Sequence, residues 1–190
     1  EAAHELAAGR LAIISLSIDG DVASDIALLR KQLFDVSDRF HSLAMEELHL
    51  GLTDKQGIRA RMRVAGDKIE SHFNEDLGHT SSIDAMRLAA SLYQMQRFES
   101  EFRLGQHDEM AFLFNVEHET FDATAGSIDA APELRAKLKE EMKAYANAFA
   151  EFVASTQRIK PILADIDSET GKMLPATESI QAAAQKRAAA

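Results

Sequence analysis

Apolar side chains recur along this chain in alternating steps of four and three, the spacing that lays one stripe along a helix and packs it against other helices. Val22, Ile26, Leu29, Leu33, Val36, Phe40 and Leu43 follow it near the start. Leu6, Ile13, Ile14 and Leu16 keep the preceding stretch apolar, so a long first helix is expected to reach back to about Ala2, with Ile18 to Asp21 as its weak point. The segment LGLTDKQG (50–57) breaks the pattern with two glycines. Thr53 or Asp54 is expected to cap the next helix, whose stripe is Ile58, Met62, Ala65, Ile69 and Phe73.

A second break falls at LGHTSSID (77–84), where Ser81 or Ser82 is expected to cap a helix that turns Ile83, Met86, Leu92, Met95 and Phe102 inward. Gly105 predicts a kink or a short turn, after which Met110, Leu113, Phe114 and Phe121 carry the stripe on to Gly126. Pro132 suits the first position of a new helix, because the amide it lacks would have no partner there. From Leu134 to Ile180 a near-heptad seam then runs through Leu138, Met142, Tyr145, Phe149, Phe152, Ile159, Leu163 and Met173. Pro161 and Pro175 interrupt it, and each is expected to kink the helix by removing one backbone donor. No run of alternating β-branched residues bounded by turns supports a strand. The expected fold is all-α: an elongated antiparallel helical bundle with a long helix at each end of the chain and about three shorter ones between them.

Composition narrows the function. The chain has 190 residues, 46% of them hydrophobic, enough to bury a core as one domain or two small modules. Its 31 acids against 21 Lys and Arg give a net charge of −10, a repulsive field for nucleic acid, so no nucleic-acid partner is expected. The absence of cysteine excludes disulfides and thiolate chemistry. No run approaches the ~20 apolar residues of a membrane span. Glu1 at one end and AAAQKRAAA at the other read as cut ends, and the chain is expected to be a segment of something longer.

Candidate chemistry is sparse. Di-metal carboxylate bundles use Glu-x-x-His pairs, and Glu46-x-x-His49 and Glu1-x-x-His4 have that spacing. One lies beside a break and the other at a terminus, and the seven histidines share no seam, so no metal and no cofactor is expected. No Gly-x-Ser-x-Gly elbow or glycine-rich phosphate loop is present, and a non-enzymatic role is expected. Arginines alternate in GIRARMRVAG (57–66), where Arg59 and Arg63 stand one turn apart while Arg61 sits nearer Ile58 and Met62. Guanidinium groups bind carboxylates bidentately, so Arg59 and Arg63 are candidate clamps for a small organic carboxylate, the plain alternative being a solvated basic face paired with nearby acids. Tyr93 and Arg97, also one turn apart, and Tyr145 on the last seam complete the candidate ligand-binding set: Arg59, Arg63, Tyr93, Arg97 and Tyr145.

The window YQMQRFESEFRLGQHDEM (93–110) carries a further signal. Arg97-Phe98-Glu99-Ser100-Glu101-Phe102-Arg103-Leu104, followed after Gly105 by Asp108, resembles a run in the all-helical extracytoplasmic sensor domains of bacterial chemoreceptors. The resemblance is to the helical bimodular sensor domain of methyl-accepting chemotaxis proteins. The Leu134, Leu138, Met142, Tyr145, Phe149, Val153 segment is similar to the run that follows in that family. Together the two cover about 60 residues of the 190. The resemblance implies that residues 1–190 are a periplasmic ligand-sensing region, excised from between two transmembrane helices of an inner-membrane chemoreceptor, homodimeric through its long helices, that binds a small organic ligand between helices and signals through the last helix. Docking of a periplasmic binding protein is the alternative it leaves open, and a structural coiled-coil protein is the alternative outside that family.

Overall fold

The computed structural model describes residues 20–77 and 82–189, and the expected extension of the first helix back to Ala2 lies outside them. Among the described residues the fold is all-α, without strands: α1 (Gly20–Leu50), α2 (Gly57–Glu75), α3 (Ser82–Gly105), α4 (Asp108–Ser127) and α5 (Pro132–Ala188). The first and last are the long ones, at 31 and 57 residues. The chain divides into two compact units, one of residues 47–157 and one formed by residues 1–46 with 158–190.

In the 47–157 unit, α2, α3, α4 and the first half of α5 make a four-helix bundle whose directions follow from pairs of contacting residues. Arg61 meets Glu151 and Lys68 meets Glu141, so α2 and α5 run antiparallel. Gln157 meets Asp108 and Lys139 meets Asp122, so α4 and α5 are antiparallel as well. Glu99 meets Tyr145 and Phe102 meets Phe149, so α3 runs parallel to α5 across the bundle. This is the up-down-up-down arrangement that short connections favour. Its core draws on the predicted stripes, with Ile58, Met62, Ala65 and Ile69 from α2, Leu92, Met95 and Phe102 from α3, Phe114 and Phe121 from α4, and Leu138, Met142, Tyr145, Phe149 and Phe152 from α5, and adds Leu88 of α3, which the expected stripe left out. Phe102 meets Phe149 edge-on at 5.6 Å, a contact that aromatic quadrupoles prefer, and Phe114 packs tilted against Phe149 at 4.1 Å.

In the other unit α1 pairs with the second half of α5. Glu46 binds Arg158, Arg39 binds Asp165, Gln32 donates to the carbonyl of Lys172, and Ser179 donates to Asp25. As one number rises the other falls by the same amount, which is an antiparallel register held over about three heptads. Ile26, Leu29, Ile159 and Ala176 are buried along this seam. Gln32 is buried too, and its amide donates to the Lys172 carbonyl. The helix runs on through Pro161 and Pro175 without a break.

Several sequence expectations are corrected. Neither Thr53 nor Asp54 caps α2: Gln56 occupies that position, extended and without a side-chain bond, because the tight turn built on Gly51 and Gly57 sets the helix start later. Asp54 instead takes a hydrogen bond from Arg103. Ile83 and Met86 are 56% and 62% exposed, since the inward face of α3 begins only at Leu88. Phe40 and Leu163 are also exposed, because a pair of helices covers less of each stripe than a four-helix bundle does. At Gly105 the helix ends, Gln106 adopts a left-handed φ of 50°, and α4 restarts at Asp108. The expected Ser81 cap lies outside the described residues.

Candidate functional site

A cavity of about 230 Å³ opens within the four-helix unit between α2, α3 and α5. Each element reaches it for a simple reason. On α2 the seam is Ile58-Met62-Ala65, and Arg59 and Arg63 flank it by one residue each. On α3 the seam steps through Leu88, Leu92, Met95, Glu99 and Phe102, which carries a carboxylate to the inner face of the bundle. On α5 Tyr145 occupies a heptad core position, with its ring 5.4 Å from that of Phe114 and its hydroxyl turned to the cavity.

Of the five residues proposed from sequence, Arg59, Arg63 and Tyr145 line this one cavity. Tyr93 and Arg97 do not: Tyr93 is 62% exposed and Arg97 pairs with Glu101 at 2.7 Å on the outer face of α3. Both stand half a turn from the Leu92-Met95-Glu99 seam, so helical geometry directs them to solvent. In their place the cavity holds Glu99 and Arg103 of α3, and Asp54 from the turn before α2. The readable signal for Glu99 was its place on an apolar stripe. Asp54 and Arg103, 49 residues apart, had none.

The polar groups are mostly bound to one another. Arg63 holds Asp67 at 2.6 Å, Arg103 holds Asp54 at 2.7 Å and reaches Glu99 at 3.4 Å, and the Tyr145 hydroxyl donates to Glu99 at 2.5 Å. Arg59 differs. Its guanidinium lies 5.8 Å from the centre of the Phe152 ring, and its buried Nε has no hydrogen-bond partner among the described residues.

Burial raises the pKa of Glu99 above the ordinary 4.5, more strongly than the bond from Tyr145 and the charge of Arg103 lower it. Burial likewise drives the Tyr145 phenol far above its usual range, keeping it a donor, and the neighbouring Glu99 charge adds to the effect. Asp54 is held below its ordinary value by its bond with Arg103. The raised Glu99 value makes the folded protein bind more protons than the unfolded chain above pH 4.5, so its contribution to stability is lost as pH rises through the folded value. Glu99→Gln is therefore expected to flatten the fall of melting temperature as pH rises above 4.5, measured by circular dichroism. Parallel pH profiles for the two proteins would contradict this account of Glu99.

Among the described residues no three His, Asp or Glu side chains converge as metal ligands. Glu46 of the Glu46-x-x-His49 pair binds Arg158, and Glu1-x-x-His4 lies outside the described residues. No described helix is long and apolar enough to cross a membrane. Comparison of the chain with protein-family models, with curated proteins and with solved structures finds no match.

Proposed function

We propose that this chain is the extracytoplasmic ligand-sensing region of a transmembrane chemoreceptor, of the helical bimodular kind that its 97–108 and 134–153 segments resemble. The observation that carries the reading is the cavity between α2, α3 and α5, lined by Arg59, Arg63 and Arg103, of which Arg63 and Arg103 are paired with acids. A small carboxylate gives Arg59 an acceptor in the bidentate geometry that guanidinium groups favour. Because Tyr145 lies both on the cavity wall and on α5, a ligand that prefers one packing of these helices over another biases the position of α5. That helix runs on to Ala188, which suits it to carry a small displacement toward a membrane-spanning segment. In this role the chain catalyses no reaction.

Apolar side chains left uncovered on α1, Phe34 at 69% and Met45 at 56% exposure, support a homodimer formed through the long helices. A second reading, docking of a periplasmic binding protein, draws on a different observation. Leu52 and Leu104, 61% and 89% exposed, lie near the end of the four-helix unit where Asp54 meets Arg103. An apolar patch there suits a protein partner.

A thermal-shift screen separates the two readings. A ligand that binds only the folded protein raises its melting temperature, by an amount that grows with concentration over Kd. We expect a shift with one class of small organic acid or amino acid that is lost in Arg59→Ala. No shift with organic acids, amino acids or sugars would sink direct sensing and favour the docking reading.

A further inference from the structure

The charges around the cavity balance in number but not in partnership. Arg59, Arg63 and Arg103 face Asp54, Asp67 and Glu99. Arg63 is matched by Asp67 and Arg103 by Asp54, at 2.6 and 2.7 Å. What remains among the described residues is Arg59, whose Nε has no hydrogen-bond partner, and Glu99, whose side chain is 13% exposed and which has the already committed Arg103 within ion-pair range, at 3.4 Å. A carboxylate has about four acceptor positions. The Tyr145 hydroxyl and Arg103 each use one on Glu99, so the carboxylate retains capacity for a further donor.

A ligand with a carboxylate alone answers Arg59 but adds a further negative charge beside the mostly buried Glu99. A ligand with an ammonium alone answers Glu99 and leaves Arg59 unmet. Only a molecule bearing both groups satisfies the two poles without changing the net charge of the cavity. From this juxtaposition we infer that the cavity selects a small zwitterion of the α-amino-acid class, its carboxylate on Arg59 and its ammonium on Glu99. The inference rests on the sensing reading above and narrows it. The volume, below the ~300 Å³ at which drug-sized sites begin, restricts the side chain to a small one.

The test is calorimetric titration of the whole chain with the twenty L-amino acids. For each that binds, the acid lacking the amino group and the amine lacking the carboxylate are titrated as well. The expected result is an amino acid that binds at least ~10-fold more tightly than either truncated probe, a ratio of roughly 1.4 kcal/mol. Glu99→Gln is expected to bring the amino acid and its desamino analogue within ~3-fold of one another, by weakening the first and strengthening the second. A general loss of folding would weaken both. Arg59→Lys, which keeps the charge but not the planar fork, is expected to weaken the amino acid and the desamino acid alike. A desamino acid that binds as tightly as any amino acid, or a ratio unmoved by Glu99→Gln, overturns zwitterion selection and leaves carboxylate sensing standing. Binding of no amino acid, acid or amine overturns both.

Discussion

Phe114→Ala should lower the stability of the four-helix unit by about 3–5 kcal/mol. The Phe114 ring is fully buried, 4.1 Å from Phe149 and 5.4 Å from Tyr145. Both neighbours belong to α5 while Phe114 belongs to α4, so collapse into the vacated space requires two helices to move together. A loss of that size is a large fraction of the ~5–15 kcal/mol that holds a typical domain together. Phe112, two residues earlier and 65% exposed, is the control, and Phe112→Ala should change stability by no more than about 0.5 kcal/mol. Urea denaturation followed by far-ultraviolet circular dichroism measures both. Equal losses at the two positions would show that α4 does not present the Phe114 face to the core. Phe114 also buttresses the Tyr145 ring, so the same variant should weaken any ligand of the Arg59 cavity.

Gly51→Ala should destabilise the turn between α1 and α2 by more than the ~1–3 kcal/mol that a strained left-handed residue costs by itself. Gly51 has φ +97°, and a methyl group there would lie 2.0 Å from the carbonyl oxygen of Gln56. That oxygen belongs to the backbone, so no rotamer change relieves the contact and the 51–57 turn has to open. The contrast is Gly171, inside α5 with nothing within 4 Å of the same added atom. Gly171→Ala should stabilise by about 0.8–1 kcal/mol, the difference in helix propensity. Thermal melts of the two variants with opposite signs are the expected outcome. A neutral Gly51→Ala would mean that the turn adopts another conformation. The turn also delivers Asp54 to Arg103, so its opening should disturb the cavity as well.

How much of this was legible beforehand differs between fold and site. The 4-3 stripe of α2 from Ile58 to Ile69 and that of α5 from Leu138 to Ile159 are buried as expected, because burial in a bundle follows helical periodicity, which a sequence displays directly, whereas the α5 stripe from Leu163 onward is not fully buried. The stripe of α1 was read too generously. Phe40 keeps the spacing yet is 53% exposed, since spacing identifies a face and says nothing of whether anything covers it. The caps failed for a related reason. Thr53 and Asp54 have the right side chains for an N-cap, but two glycines with positive φ placed the start of α2 at Gly57.

At the site, the stripe itself contained a clue that was passed over. Leu88, Leu92, Met95, Glu99 and Phe102 step by four and three, so Glu99 had to face inward, whereas Tyr93 and Arg97 had to face out. Arg59, Arg63 and Tyr145 meet in one cavity, but sequence proximity alone could not bring them together, because Tyr145 lies on a helix more than 80 residues further along.

By itself the sequence determined the helical class, the two long helices and the inner faces of α2 and of the first half of α5, all consequences of local periodicity and of where glycine and proline stand. Only the tertiary structure decided which charges are matched. Pairings such as Arg103 with Asp54, Arg61 with Glu151 and Arg158 with Glu46 join residues 49 to 112 positions apart. Ion pairs act over a few ångströms and carry no sequence period, so the Arg59 Nε that has no partner among the described residues emerges only from the three-dimensional arrangement.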